Sequence, residues 1–145
     1  MKGKIRSALI LCAGYGSRLR PLTDRLPKPL LPAGGIPPLF AAMDRLRAAG
    51  IRDFLVNVHH LPEKFAEAFG LSGGAFAGSR VAEARRGDCR IRLVHEPEIL
   101  DTGGAARNLL PLLDLSEPLA VHNGDIIFTS VSYTHLRAHE TRGNL

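Results

Sequence analysis

The chain has 145 residues, of which 45% are hydrophobic, 23% charged and 6% aromatic, and 19 Lys and Arg against 14 Asp and Glu give a net charge of +5. A chain of this length can fold around its own core, and its two cysteines, Cys12 and Cys89, lack metal-ligand spacing, which excludes disulfide-rich and zinc-ribbon classes. No apolar run reaches the roughly 20 residues that span a bilayer. We therefore expect a cytoplasmic domain with no membrane partner.

The amino-terminal half alternates apolar runs with helical periods. The continuous run over residues 8–12 predicts a buried strand, and it is too short for the core of a secretory signal, which the basic residues before it would otherwise suggest. Pro38 and Gly50 bracket a predicted helix, because proline is favoured at a helix start and glycine just after a helix end. Residues 54–56 predict a second strand, followed by a short helix over 62–70.

The carboxyl-terminal half continues the alternation after a glycine-rich loop at residues 70–80. Residues 91–94 and 119–121 predict two more strands, with a helix around 106–113 between them. Strand–helix–strand alternation favours an α/β fold with a mostly parallel sheet. In such folds ligands bind at the carboxyl edge of the sheet. The residues that follow predicted strands there are Gly14, His59, Glu96 and Asp125.

A glycine loop follows the first predicted strand, with C-A-G-Y-G-S-R-L at residues 12–19. Its glycines allow backbone N–H groups to surround a phosphate, and Arg18 could add charge-assisted hydrogen bonds. A tight strand-to-helix turn with a solvated arginine fits the same letters. The mononucleotide loop G-x-x-x-x-G-K-[ST] is absent, and Leu19 replaces the third glycine of the dinucleotide fingerprint.

A stiff loop follows at residues 20–30, R-P-L-T-D-R-L-P-K-P-L. Pro27 and Pro29 restrict the backbone on both sides of Lys28, which limits the positions that its ammonium can reach. A lysine held beside a glycine loop suits a triphosphate, although an exposed lysine on a rigid surface loop remains the alternative. This second motif makes phosphate binding the favoured interpretation of both loops.

The two loops together resemble the signature of sugar-1-phosphate nucleotidylyltransferases, with G-Y-G-S-R-L-R-P-L-T at residues 14–23 and P-K-P-L at 27–30. D-T-G-G-A at residues 101–105 resembles the base-recognition loop of that family, and N-G-D at 123–125 resembles its metal-binding turn. N-V-H-H-L-P at 57–62 is similar to members that act on mannose or muramic-type sugar phosphates. The resemblance covers about residues 5–129. It implies the amino-terminal part of a Rossmann-like, three-layer α/β/α nucleotide-diphospho-sugar transferase fold.

The resemblance also implies an activity, the transfer of a nucleoside monophosphate from a nucleoside triphosphate to a sugar 1-phosphate with release of pyrophosphate. The acceptor phosphate is anionic at neutral pH, so the reaction needs alignment and charge neutralisation rather than a base, and the histidines need no catalytic role. The implied catalytic residues are Arg18 and Lys28, and Asp125 would bind Mg²⁺. The implied nucleotide-binding residues are Ala13, Gly14, Gly16, Ser17, Glu96 and Gly103.

Several alternatives stay open at these positions. Asp125 could be a simple turn former, and Glu96 could cap a strand or face solvent. A histidine pair such as His59 and His60, taken alone, is more often structural than a ligand set. No residue can be matched to the second metal-binding aspartate that the resemblance implies. The sequence also identifies neither the base, nor the sugar, nor the oligomeric state.

The last segment, residues 131–145, has no packing period and resembles translated sequencing-adaptor sequence, a contaminant at the ends of metagenomic gene models. We expect residues 1–130 to be the nucleotide-binding part of a truncated domain, without its sugar-phosphate pocket and with little or no turnover. The other functions weighed are nucleotidyl transfer to another phosphorylated alcohol such as phosphocholine, and a non-catalytic nucleotide-binding regulatory module. Nucleic-acid binding is disfavoured, because the basic residues are scattered without interleaved aromatic residues.

Overall fold

The computed structural model describes residues 4–114 and 116–127, so the predicted boundary at residue 130 and the segment 131–145 lie outside the described residues. Five strands and three α-helices alternate along this part of the chain. In chain order they are β1 (Ser7–Leu11), α1 (Pro38–Ala48), β2 (Asp53–Val58), α2 (Pro62–Ala68), β3 (Val81–Arg86), β4 (Cys89–His95), α3 (Thr102–Leu109) and β5 (Leu119–Asn123).

The strands form one sheet in the order β3-β4-β2-β1-β5. β1 lies between β2 and β5 and is parallel to both, and β2 is parallel to β4. Only the β3–β4 pair among the described strands is antiparallel. The prediction of a mostly parallel sheet is therefore confirmed.

Helices cover both faces of this sheet, as a continuously apolar strand requires. Ala8 and Ile10 point to one face, where they pack with residues of α1 and α2 such as Met43 and Phe65. Leu9 points to the opposite face, in a smaller cluster formed with α3. All five side chains are almost completely buried. The predicted three-layer α/β/α fold is confirmed.

The predicted helix starts at proline are confirmed, because α1 begins at Pro38 and α2 at Pro62. Glycines with positive φ follow both helices, Gly50 at 104° and Gly70 at 75°. In this conformation glycine escapes the penalty that a Cβ atom brings. The longest described α-helix, α1, has 11 residues, and none of the described helices is long and apolar enough to cross a membrane.

The strand β3 was missed by the sequence prediction, which placed four strands instead of five. It is an edge strand on which buried Ala82 alternates with exposed Glu83, and this pattern is weaker than a continuous apolar run. Gly87, with φ 60°, and Asp88 connect it to β4 in a two-residue turn. That glycine–aspartate pair was the available sequence signal for a hairpin.

Candidate functional site

A cavity of about 600 Å³ opens at the carboxyl edge of the sheet, beside the ends of β1, β2 and β5 and the start of α3. Seven of the nine residues predicted for the site line it: Ala13, Gly14, Gly16, Ser17, Arg18, Lys28 and Asp125. The other lining residues are Leu11, Cys12, Leu19, Pro29, Asn57, Ile99, Leu100, Asp101, Thr102, Ala105 and Asn123. The structure thus brings the glycine loop, the proline-rich loop and the N-G-D turn to one cavity.

Gly16 gives the glycine loop its shape. Its backbone is left-handed, with φ 62° and ψ 34°, and the short 3₁₀ turn Ser17–Leu19 follows it. A Cβ atom at this position would lie 2.8 Å from Thr23 Cγ2 and 3.1 Å from Lys28 Cβ. Gly14 has nothing within 4 Å of such an atom. Residue 16 therefore has to be glycine for both conformational and packing reasons, whereas a Cβ atom on residue 14 would point into open space.

Two side chains fix the backbone of the glycine loop by hydrogen bonds. Asn57 Oδ1 accepts a buried hydrogen bond of 2.7 Å from the backbone N–H of Cys12. Thr23, which is 1% exposed, donates its hydroxyl to the carbonyl oxygen of Gly16 at 2.8 Å. Neither residue was predicted for the site. Asn57 reaches Cys12 because the sheet register places it opposite Leu11 at the end of β1, which the sequence alone does not reveal.

Lys28 and Asp125, predicted for different tasks, form an ion pair across the cavity. The distance from Lys28 Nζ to Asp125 Oδ2 is 2.9 Å, and the side chains are 42% and 35% exposed. Lys28 starts a 3₁₀ turn anchored by buried Pro29 and Leu30. The N–H of Gly124 donates to the carbonyl of Leu11 at 2.9 Å, which ties the N-G-D turn to the end of β1. Such an exposed pair contributes at most about 1 kcal/mol to stability, so its interest lies in where it holds the two charges.

Cys12 lies at the cavity floor and is 3% exposed. Burial raises the pKa of its thiol far above the ordinary value, and the nearby charge of Asp125 raises it further. Its Sγ atom occupies the space that a Cβ atom on Gly124 would need. The thiol therefore stays protonated at neutral pH and acts as a packing group.

Glu96 and Gly103, the two remaining predicted residues, do not line the cavity. Glu96 is completely buried, and neither carboxyl oxygen has a hydrogen-bond partner of good geometry among the described residues. Burial raises its pKa, and the nearby amides of Asn57 and Asn108 offset only part of that effect. Gly103 lies in the first turn of α3, which Asp101 caps by accepting from the N–H of Gly104 at 2.6 Å. Contact of Glu96 or Gly103 with a nucleobase stays a prediction.

Few side chains at the cavity could bind a metal ion. No group of three His, Cys, Asp or Glu side chains within residues 4–114 and 116–127 could hold a metal. Asp125 presents a half-exposed carboxylate to the cavity, whereas Asp101 uses its Oδ1 to cap α3. One carboxylate fits Mg²⁺, which commonly takes its other ligands from substrate phosphates and water.

Comparison with known proteins gives a consistent result. The family model described as "Nucleotidyl transferase" matches residues 7–144, which includes most of the segment predicted to be a non-native tail. The chain is 35% identical over 130 residues to the N-acetylmuramate alpha-1-phosphate uridylyltransferase of Neisseria meningitidis, covering 88% of this chain and 49% of that protein. It is 35% identical over 120 residues to the mannose-1-phosphate guanylyltransferase of Mycobacterium tuberculosis, covering 83% of this chain and 30% of that protein.

Solved structures share the fold. A UDP-glucose pyrophosphorylase complexed with UDP-glucose matches with a TM-score of 0.68 at 20% sequence identity, covering 90% of this chain and 50% of that one. At this identity the likeness concerns the fold alone. The chain spans about half or less of the length of each of these proteins.

Proposed function

Because the chain belongs to the nucleotidyl transferase family, we propose that it is the nucleotide-binding part of an enzyme that transfers a nucleoside monophosphate from a nucleoside triphosphate to a sugar 1-phosphate. The observation that carries this proposal is the cavity where the glycine loop, Lys28 and Asp125 meet. The two curated relatives, which use an N-acetylmuramate phosphate and a mannose phosphate by name, support a sugar 1-phosphate as acceptor.

The chemistry needs an in-line displacement at the α-phosphorus. An oxygen of the sugar phosphate forms the new P–O bond, the bond between the α- and β-phosphates breaks, and pyrophosphate leaves with the electron pair. The attacking oxygen is anionic at neutral pH and needs no general base. Cys12 supplies the thiol that lines the cavity, but its raised pKa keeps it protonated, so a covalent enzyme intermediate on sulfur is disfavoured.

The residues of the cavity have different roles in this reaction. The backbone N–H groups of residues 14–17 face the phosphates, and Arg18 and Lys28 neutralise the charge that spreads over the reacting phosphoryl group. Asp125 would hold Mg²⁺, which neutralises phosphate charge when bound. Lys28 exchanges the carboxylate of Asp125 for phosphate oxygens when the triphosphate arrives. A reducing, cytoplasmic location fits the two buried free cysteines.

The experiment measures binding and turnover separately. Isothermal titration calorimetry with UTP, GTP, CTP, dTTP and ATP in the presence of Mg²⁺ should reveal affinity for at least one triphosphate. Lys28→Ala and Arg18→Ala should weaken that affinity. Lys64→Ala is the matched control, because Lys64 pairs with Glu67 at 2.9 Å on α2 and does not line the cavity.

Pyrophosphate release is then followed with sugar 1-phosphates and with phosphocholine as acceptors. We expect the 145-residue chain to bind triphosphate with little or no turnover. A folded chain that binds none of the five triphosphates would contradict the proposal. Release that depends on phosphocholine alone would show a different acceptor class.

A further inference from the structure

Three side chains at the end of β2 hold the loop that runs from Cys12 to Thr23. Asn57 accepts from the N–H of Cys12 at 2.7 Å. His59 Nε2 lies 3.1 Å from the hydroxyl of Tyr15. His60 Nε2 lies 2.6 Å from the carbonyl oxygen of Thr23. One short stretch of chain therefore contacts the beginning, the middle and the end of the loop.

The partners of the two histidines fix which ring nitrogen carries the hydrogen. His59 Nδ1 lies 2.6 Å from the backbone carbonyl of Glu96, which can only accept, so Nδ1 must donate. In the neutral ring Nε2 is then the acceptor, and Tyr15 donates its hydroxyl to it. His60 has the opposite arrangement, because its Nε2 donates to the carbonyl of Thr23. The two contacts therefore need a hydrogen on different ring nitrogens, Nδ1 in His59 and Nε2 in His60.

Thr23 passes the restraint from His60 to the glycine loop. Its carbonyl accepts from His60, and its hydroxyl donates to the carbonyl of Gly16, the residue with φ 62°. The ring of Tyr15 adds edge contacts to both histidines, with centroid distances of 5.4 Å and 5.5 Å. A change at His60 would therefore reach Gly16, the left-handed residue that shapes the glycine loop.

Leu61, the residue after His60, has φ 49°. A left-handed conformation costs a residue with a side chain roughly 1–2 kcal/mol and persists where the surrounding structure holds it. Here it turns the chain directly from His60 into α2. The unfavourable conformation therefore directly follows the two histidines that contact the loop.

We propose that His59 and His60, together with Asn57, are positioning residues that hold the glycine loop in its phosphate-binding shape. Neither histidine lines the cavity, so they act through Tyr15 and Thr23, whereas Asn57 also lines it. The proposal rests on the proposed function only in taking a nucleoside triphosphate as the ligand. The histidines are the better test, because their substitution removes no cavity-lining group.

The experiment compares His60→Gln with His60→Asn. The amide nitrogen of glutamine can take the place of Nε2, whereas that of asparagine is too short to reach Thr23. Three quantities are measured: amide hydrogen exchange of residues 13–19 without ligand, triphosphate affinity by calorimetry, and the unfolding temperature. His95→Asn is the control, because His95 packs on Phe76 and is not in contact with the loop.

His60→Asn should speed exchange in the loop and weaken triphosphate affinity by about tenfold, the effect of losing one good hydrogen bond. His60→Gln should restore both, and His95→Asn should change neither. Unchanged exchange and affinity in His60→Asn would overturn the proposal. Glutamine being as harmful as asparagine would overturn it too, because the retained donor would then have no effect.

A second measurement applies if His60→Asn does not fold. Imidazole ¹⁵N spectra of the unsubstituted chain should show the Nδ1–H tautomer for His59 and the Nε2–H tautomer for His60, and the reverse assignment would overturn the proposal. If the chain binds no triphosphate but His60→Asn still speeds exchange in the loop, the proposed function fails and the positioning role stands.

Discussion

The ammonium of Lys28 lies 2.9 Å from the carboxylate of Asp125, so the cation predicted for phosphate and the anion predicted for metal neutralise each other in the cavity. A triphosphate that binds Lys28 would free the carboxylate of Asp125 for Mg²⁺. Likewise, Mg²⁺ that binds Asp125 would free the ammonium of Lys28 for the triphosphate. Binding of either ligand should therefore favour binding of the other.

Replacing Lys28 by methionine should separate the two tasks, because methionine keeps most of the length and removes the charge. An exposed ion pair contributes at most about 1 kcal/mol, so we expect Mn²⁺ binding without nucleotide to tighten by no more than about fivefold. Triphosphate affinity should fall by roughly tenfold or more with the loss of a charge-assisted contact. Electron paramagnetic resonance of free Mn²⁺ and calorimetry measure the two effects. Lys64→Met, at an ion pair outside the cavity, is the control, and metal affinity that falls in Lys28→Met would contradict this view.

Gly16→Ala should be far more harmful than Gly14→Ala. The left-handed backbone and the approach of Thr23 Cγ2 at 2.8 Å should cost Gly16→Ala about 1–3 kcal/mol of unfolding free energy. A methyl group on Gly14 meets open space, so that variant should keep its stability. Urea denaturation of the two proteins makes the comparison, and equal losses would show that the loop does not need its left-handed residue.

Gly124→Ala should collide with the sulfur of Cys12 and lower the unfolding free energy by about 1–3 kcal/mol. Combination with Cys12→Ala should recover part of that loss, because the sulfur is gone while Ile10 Cγ2 and the carbonyl of Leu11 remain 3.3 Å away. A double-mutant cycle measures the coupling. Strictly additive losses would mean that the two residues do not share this space.

The free energy of unfolding of Glu96→Gln should rise relative to that of the unsubstituted chain as pH rises. Burial raises the pKa of Glu96 in the folded state above its ordinary 4.5, so the folded chain binds more protons than the unfolded chain just above that pH. Stability is therefore lost as pH rises from 4.5 through the folded pKa, and glutamine escapes this loss. Urea denaturation across a pH series measures it, with exposed Glu98→Gln as control. A stability difference that does not change with pH would contradict the assignment.

The sequence predicted the parts of the fold that local patterns encode. Continuous apolar runs identified β1 and β2, and prolines marked the starts of α1 and α2. β3 was not predicted because one face of this edge strand meets solvent. Its sequence therefore alternates alanine with charged residues instead of forming a continuous hydrophobic run.

The site was predicted as far as its motifs reach. The three motifs contain Gly16, Lys28 and Asp125, which line one cavity, and the roles assigned to them stay predictions. Thr23 and Asn57 could not be identified, because their contribution depends on which backbone atoms they meet after folding. Removal of the Thr23 hydroxyl would release the carbonyl of Gly16.

The position of β1 between β2 and β5 has a consequence for tolerance to insertions. The glycine loop and the proline-rich loop follow β1, the N-G-D turn follows β5, and the start of α3 follows β4, whereas β3 is the edge strand beyond β4. A longer or shorter turn between β3 and β4 should leave the register of Leu11 with Asn57 and Asn123 unchanged. We therefore expect this domain to tolerate changes of length in the β3–β4 turn while the cavity keeps its geometry.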